Sequence, residues 1–211
     1  MLKYYSFLLI LLVSFSGCAK TNLDYNKLRN NKRNIVKTLD SLKPYTLEIN
    51  KEFIVHLGEE HKEIIMIEKQ KVFASKLLFS RMDTPFSLDI KSFSTAGFFA
   101  PRIYFLNNEN KIIKQVGAKD LLFDRGFFKG TIFINTEYSK IYSIVVMQDI
   151  KESQREHKIN YVTTTPVIIP IGPYVMTYTT SSGDQNKTIQ NAYGGSIKLI
   201  LKRYSPRVVV K

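Results

Sequence analysis

The feature that most constrains the fold of this chain is a series of short segments in which polar and apolar residues alternate between turn signals. The first, YTLEINKEFIVHL (residues 45–57), alternates with a period of two, the repeat of a strand with one buried face. Eight later segments are of similar length and are bounded by charged residues, Pro or Gly: EIIMIEK, VFASKLLFS, FSLDIKSF, FFAPRIYFLN, KIIKQV, FFKGTIFIN, KIYSIVVMQDI and GGSIKLILKRY. Short strands at this spacing predict an all-β fold, a jelly-roll-like β-sandwich.

The length and apolar content predict a single domain of this kind. The chain has 211 residues, of which 44% are hydrophobic, enough for one complete core. Pro44 separates a polar, Asn- and Lys-rich lead-in from the first strand, and the last strand pattern ends at Tyr204. We therefore expect the sandwich to span residues 44–204. A flexible basic tether (18–43) precedes it and a basic tail (205–211) follows it. Within the tether, NIVKTLDSL is compatible with a turn or two of helix.

The N-terminus has the pattern of a secretory signal that ends at the chain's only cysteine. Lys3 precedes an uncharged run over residues 4–15, which is shorter than the roughly 20 residues that span a bilayer. A lone cysteine in an exported chain has no internal disulfide partner, which leaves a free thiol, an intermolecular bridge or a lipid attachment site. FSGC (15–18) resembles the processing signal of bacterial lipoproteins, with Phe15 where Leu is usual. We predict a signal peptide over residues 1–17 and lipidation of Cys18.

A lipid on Cys18 implies a location for the protein. An N-terminus that carries more than one acyl chain is held stably on a membrane. The next residue is Ala19 rather than the Asp that is common in lipoproteins of the inner membrane. The resemblance therefore implies a protein anchored in the outer membrane and facing the periplasm. Its expected partners then include the membrane itself, bound through the N-terminal lipid.

The net charge of +13 is concentrated at the two ends of the chain. Residues 20–43 contain seven basic and two acidic residues, residues 187–211 contain six basic and no acidic residues, and residues 44–186 have a net charge of +1. Basic segments near a lipid anchor are attracted to anionic headgroups. The alternative is that they only keep the chain soluble. Because the chain is exported and has no nucleic-acid-binding motif, we expect no nucleic-acid partner.

One stretch departs from the strand pattern. Residues 161–180 contain Pro166, Pro170 and Pro173, which favour edge strands or loops over a central strand. SSGDQNKT (181–188) has the composition of a loop. If the domain captures a partner by pairing one edge strand with it, these prolines would protect an edge against uncontrolled pairing.

The sequence has no pattern of catalytic or metal-binding residues, and we predict neither an enzyme nor a cofactor or metal site. HLGEEH (56–61) places its histidines five residues apart with Gly58 between them, whereas zinc-binding helices need histidines four apart on one face. An exposed turn is the better interpretation. The chain has neither a Gly-x-Ser-x-Gly elbow nor a phosphate-binding glycine loop. Its scattered carboxylates give no reason to choose a catalytic pair.

Sugar-binding sites usually combine exposed aromatic rings with amide and acidic side chains. The candidates for such a site in this sequence are Tyr104, Asn107, Asn108, Tyr174, Tyr178 and Tyr193. Each has an alternative interpretation, because aromatic residues in strands are commonly core residues and Asn-Asn is ordinary in turns.

Four segments of the sequence are similar to segments of one known protein family. FFAPRIYFLNNENKII resembles a Phe-Ala-Pro segment, and FFKGTIFINTEYSKIYSIVVMQDIKE a second strand-turn-strand segment, of the maltose operon periplasmic protein family of enterobacteria. LDSLKPYTL resembles the family's lead-in to the first strand and GGSIKLILK its closing strand, so the resemblance covers residues 36–202. It implies a non-catalytic periplasmic protein associated with carbohydrate transport, and it implies no particular site residues. The cysteine of the lipoprotein signal and the proline-bearing stretch 161–193 are departures from the family.

We therefore expect a non-enzymatic envelope lipoprotein that acts as an accessory binding or scaffold protein in maltose- or maltodextrin-type carbohydrate transport. Its expected partners are an oligosaccharide or an envelope protein. The alternative is a protein-binding structural subunit of an outer-membrane assembly that has no sugar ligand. A hydrolase with an unrecognised site is the third hypothesis.

Overall fold

The computed structural model describes residues 20–31, 34–153, 155–171 and 174–204, with the side chains of residues 153 and 159–187 left out of that description. The predicted signal peptide (1–17), the lipidation site Cys18 and the C-terminal tail (205–211) lie outside the described residues. Within the described residues, no helix is both long enough and apolar enough to cross a membrane.

The secondary structure of the described chain is mostly β. Two short helices are present, α1 (Asn22–Arg29) and α2 (Ile150–Ser153), with 3-10 turns at Leu39–Ser41, Ala118–Asp120 and Tyr138–Lys140. The strands are β1 (Ile35–Val36), β2 (Pro44–Thr46), β3 (Glu52–Leu57), β4 (Ile64–Ile67), β5 (Gln70–Leu78), β6 (Phe86–Phe93), β7 (Pro101–Leu106), β8 (Ile112–Val116), β9 (Leu122–Asp124), β10 (Phe127–Ile134), β11 (Ser143–Gln148), β12 (His157–Ile171), β13 (Tyr174–Ile189) and β14 (Gly195–Arg203).

The strands form two main sheets with the connectivity of a jelly roll. The seven-stranded sheet has the order β1-β4-β5-β11-β7-β8 with β2 beside β5, and the five-stranded sheet has the order β3-β14-β6-β10-β9. Eight of the strands form nested antiparallel pairs. The outermost pair is β3 with β14, followed inward by β5 with β11, β6 with β10, and β7 with β8. This nested pairing over two sheets is the jelly-roll arrangement. The predicted all-β, sandwich-like single domain is confirmed.

The period-two pattern of the sequence sorts side chains between the two faces of each sheet. On β7, Ile103 and Phe105 are buried in the main core between the sheets, while Tyr104 belongs to a second cluster on the outer face of the seven-stranded sheet. Strand β11 is buried at every position because both of its faces are covered. Leu42 from the N-terminal segment and Ile150 from α2 pack into the outer cluster.

The lead-in predicted as a flexible tether is folded onto the domain in its described part. Helix α1 begins with a capping box between Thr21 and Asp24, which satisfies backbone N–H groups of the first turn. Tyr25 is 1% exposed and belongs to the main core. The flexible-tether prediction is thus wrong for residues 20–31. Of the helical turns considered for NIVKTLDSL, a one-turn 3-10 helix is present at Leu39–Ser41, whereas Ile35–Val36 forms the strand β1.

The proline-bearing stretch forms a long ribbon of two strands. Strands β12 and β13 have 15 and 16 residues and pair antiparallel with each other in a separate two-stranded sheet. The prediction of edge strands is confirmed, because each strand of such a ribbon is an edge. The loop predicted over residues 181–188 is wrong: these residues belong to β13, and Thr188 pairs with Lys158. The polar composition of these residues did not indicate their strand conformation.

The turn predicted at HLGEEH is present, with Gly58 at a positive φ of 83°, but it is not fully exposed. His61 is only 5% exposed, its Nδ1 accepts a hydrogen bond of 3.1 Å from the His56 backbone N–H, and its ring packs on Tyr45. The expectation of an exposed turn is wrong for this side chain. In the described part of the chain, no group of three or more His, Cys, Asp or Glu side chains is arranged to hold a metal ion.

The buried His61 predicts an acid-sensitive stability. Burial lowers the pKa of His61, so below its ordinary pKa of about 6.5 the unfolded chain binds a proton that the folded chain does not. The free energy of unfolding should therefore fall as the pH drops below about 6.5. Urea titrations between pH 8 and pH 5 measure this slope, and His61→Gln should flatten it. An unchanged slope in the variant would show that other groups cause the acid sensitivity.

Candidate ligand-binding groove

The outer face of the seven-stranded sheet is covered over only part of its area. Leu42, Leu39 and Ile150 pack over the part formed by β4, β5 and β11. The part formed by β7 and β8 remains open and is bordered by the Ala118–Asp120 turn and by α2, and here lies a groove of ≈ 510 Å³. This volume falls within the roughly 300–1,000 Å³ of small-molecule clefts.

Side chains alternate between the two faces of β7 and β8, and those on the outer face form the floor of the groove. Arg102 and Tyr104 share the outward parity of β7, and Gln115 on β8 is the register partner of Tyr104. Tyr104 is 6% exposed, and Val116 beside Gln115 is also buried. Gln115 and Tyr104 are therefore neighbours on paired strands, and both line the groove.

Asp149 holds the floor and one wall of the groove together. Its Oδ1 accepts hydrogen bonds from Arg102 Nη2 at 2.7 Å and from the Lys151 backbone N–H at 3.1 Å. Its Oδ2 accepts one from the Ala118 backbone N–H at 3.0 Å. The Asp149 side chain is 5% exposed and that of Arg102 is 13% exposed, so this is a largely desolvated ion pair. One carboxylate thus ties β7, the 3-10 turn and the start of α2 to the end of β11.

The close approach of Asp149 requires a glycine on the turn. A Cβ atom at Gly117 would lie 2.6 Å from Asp149 Oδ2, well inside contact distance. Glycine at this position therefore lets the turn approach the carboxylate and form the wall.

The far wall is fixed through Glu152 and the base of the ribbon. Glu152 is 6% exposed, and its Oε1 lies 2.7 Å from Nε2 of His157, the first residue of β12. The His157 ring packs among three phenylalanines, with ring centres 4.2 Å away for Phe123, 4.6 Å for Phe98 and 5.7 Å for Phe128. The wall is therefore anchored in an aromatic cluster.

The charged side chains that line the groove balance one another. Four are cationic (Arg102, Lys119, Lys151 and Arg155) and four are carboxylates (Glu68, Asp120, Asp149 and Glu152). The two buried carboxylates already accept hydrogen bonds or pair with neighbouring protein groups, as does Asp120, whose Oδ2 accepts from the Gly117 backbone N–H at 2.9 Å. The groove offers many donors and acceptors without a net formal charge, which suits a neutral ligand rich in hydroxyl groups better than a phosphate or a cation.

The candidate sugar-contacting residues of the sequence lie in different parts of the domain. Tyr104 lies in the groove. Asn107 and Asn108 are at the β7–β8 turn, where Asn107 Oδ1 accepts from the backbone N–H groups of Glu109 and Lys111, as turn chemistry predicts. Tyr193 lies under the Arg29 guanidinium, 4.0 Å from the ring centre, and helps to fix α1. For Tyr174 and Tyr178 only the backbone in β13 is described. Of the four candidates whose side chains are described, Tyr104 lines this groove, and Asn107, Asn108 and Tyr193 lie outside it. The ligand-binding role of the six residues stays a prediction.

Sequence reasoning missed Arg102, Gln115, Asp149 and Glu152. A signal for Asp149 exists, because an acidic residue directly after SIVVMQ, a run that is buried throughout, sits where a strand leaves the core. The partners of Asp149 come from distant segments, so their convergence could not be seen in the sequence.

Comparisons with known proteins give this chain no family. No protein-family model matches it, and no curated protein matches it either. The resemblance to the maltose operon periplasmic protein family stays a prediction from the quoted segments.

Proposed function

We propose that this protein is a non-catalytic accessory protein of the bacterial envelope that binds a neutral, hydroxyl-rich ligand, an oligosaccharide of the maltodextrin type, in the groove on β7 and β8. The observation that carries the proposal is the charge-balanced, hydrogen-bonding lining of a groove whose floor is held rigid by the Arg102–Asp149 pair. Amide, guanidinium and carboxylate groups on fixed elements provide the directional contacts that order hydroxyl groups.

The proposed location comes from the sequence. The signal pattern and Cys18 support lipidation and attachment to the outer membrane on its periplasmic side. A jelly roll by itself does not indicate a ligand, because the same fold carries many functions. The segments that resemble the maltose operon family add support for a carbohydrate rather than another polyol.

Calorimetric titration of residues 19–211 with maltodextrins of increasing length tests the proposal. We expect saturable binding that strengthens with ligand length. Gln115→Ala should weaken it about tenfold or more, because the deleted amide contributes hydrogen bonds worth about 0.5–1.5 kcal/mol each. Asn108→Ala removes an exposed amide outside the groove and should leave the dissociation constant unchanged.

Two results would contradict the proposal. One is an absence of heat with every maltodextrin tested. The other is binding that Gln115→Ala and Asn108→Ala weaken equally, which would place the ligand elsewhere.

A second candidate function is a protein-binding subunit of an outer-membrane assembly. The observation that favours it is the β12–β13 ribbon, a sheet of only two strands with open edges. Replacing residues 160–186 by a two-residue Asn-Gly turn separates the two candidates, because it leaves the groove residues in place. Sugar binding that survives this change while partner capture from envelopes is lost would support the protein-binding function.

A further inference from the structure

The β12–β13 ribbon is unusual both in length and in composition. Strands of 15 and 16 residues reach about 50 Å, whereas strands in globular domains usually have about 3–10 residues. Residues 159–183 contain no Asp, Glu, Lys, Arg or His, in a chain of which 23% is charged. A two-stranded ribbon alone is marginally stable in water, so one this long is expected to gain further strands.

The two edges of the ribbon are not equivalent. Strand β12 contains Pro166 and Pro170, whose nitrogens cannot donate to a neighbouring strand. Their register partners on β13 are Thr179 and Val175, and β13 itself contains no proline from Tyr174 to Ile189. Edges of natural sheets are usually protected by proline or by charged residues. Strand β12 has such protection, and the segment 174–183 of β13 has neither device.

The register also makes the two faces of the ribbon different. Because partners across an antiparallel ladder share a face, the pairs formed by residues 167, 169 and 171 lie on one face, which collects Val167, Ile169, Ile171, Tyr174, Met176 and Tyr178. The opposite face at this end collects Pro166, Ile168, Pro170, Val175, Thr177 and Thr179. Both prolines of β12 therefore lie on this second face, whereas the first face has only aliphatic, methionine and tyrosine residues.

We propose that the open edge of β13 pairs antiparallel with β13 of a second copy of this chain. A two-fold axis perpendicular to the ribbon would produce a four-stranded sheet of order β12-β13-β13-β12, with the apolar faces of both copies on one side. The proline-bearing strands would form its outer edges, so growth stops at the dimer. An uncharged edge meets its own copy without like-charge repulsion, and each β13 position gains a second lateral neighbour.

The test uses residues 19–211, which include every described residue and contain no cysteine. Light scattering of this chain should give twice the monomer mass. Single cysteines at Thr177, Thr179, Thr180, Ser181 and Ser182 of β13 should include at least one that forms a disulfide-linked dimer on oxidation. Cysteines at Thr163, Thr164 and Thr165 of β12 should leave the chain monomeric on a non-reducing gel.

A charge placed on each strand provides the matched control. Thr165 and Thr180 are register partners, so Thr165→Lys and Thr180→Lys put the same charge on the same face of the two strands. Thr180→Lys should dissociate the dimer and Thr165→Lys should not, with circular dichroism showing that both are folded. A monomer at every concentration, crosslinks from β12 equal to those from β13, or equal effects of the two lysines would overturn the proposal.

Discussion

Asp149→Ala should lower the free energy of unfolding by about 3–5 kcal/mol, the range found when one partner of a buried ion pair is removed. The variant leaves the Arg102 guanidinium, whose side chain is 13% exposed, without its carboxylate. It also removes the acceptor for the Ala118 and Lys151 backbone N–H groups. Such a loss is comparable to much of the stability of an ordinary domain.

Urea denaturation of Asp149→Ala against the unsubstituted chain measures this effect. Asp124→Ala is the control, because Asp124 pairs with Lys129 on the open face of the five-stranded sheet and its removal should change the midpoint little. The double variant Arg102→Met/Asp149→Leu should regain part of the lost stability, since it leaves no unpaired charge, although the Ala118 and Lys151 N–H groups still lack their acceptor. A single variant as stable as the Asp124 control would contradict the role given to this pair.

Tyr25→Ala should lower the free energy of unfolding by about 3 kcal/mol or more, as expected when a large aromatic side chain is deleted from a core. The ring packs edge-on against Phe73 with 6.5 Å between centres, and the hydroxyl donates to Glu59 at 2.8 Å. It occupies space left by two glycines: a Cβ at Gly58 would lie 2.8 Å from the ring, and one at Gly194 would lie 2.4 Å from it. No smaller side chain would fill this site.

Leu23→Ala provides the comparison within the same helix. Leu23 is 62% exposed and alanine is the stronger helix former, so this variant should be as stable as the unsubstituted chain. Gly194→Ala should resemble Tyr25→Ala, because the added methyl group displaces the ring. Equal stability of Tyr25→Ala and Leu23→Ala would show that α1 does not contribute to the core.

The strands of the sandwich could be predicted because their pattern depends on local burial. FSLDIKSF and FFKGTIFIN alternate as half-buried strands do, and they form β6 and β10 with Asp89 paired to Thr131. The nested pairing that defines the jelly roll joins strands far apart in the sequence, such as β3 with β14. That pairing is suggested only by the rhythm of the strands.

The errors at both ends of the domain have physical causes. The signal for α1 is present as Thr21 followed by Asp24, a short capping box, but the polar composition of residues 19–33 hid a helix whose only buried side chain is Tyr25. Residues 181–188 belong to β13 although their composition is that of a loop. Turn chemistry was predicted correctly at Asn107, whose side chain accepts from two backbone N–H groups.

The candidate groove could be predicted less well than the fold. Tyr104 was identified as an aromatic residue near amides, yet the amide beside it is Gln115 on β8 rather than the following asparagines. The site depends on segments near residues 68, 102, 115, 119 and 149 coming together. The balance of charges in the groove depends on which side chains the fold brings together, so it could not be predicted from the sequence.

The most direct test of the central claim is a nuclear magnetic resonance titration of isotope-labelled residues 19–211 with a long maltodextrin. The account predicts saturable shifts of the Gln115 side-chain amide and of the backbone amides of Gly117, Ala118 and Lys119 around the groove. The amides of Asn107 and Asn108 at the β7–β8 turn should stay unchanged. Shifts confined to that turn or to the ribbon, or no shifts at saturating ligand, would contradict the claim that the groove binds the sugar.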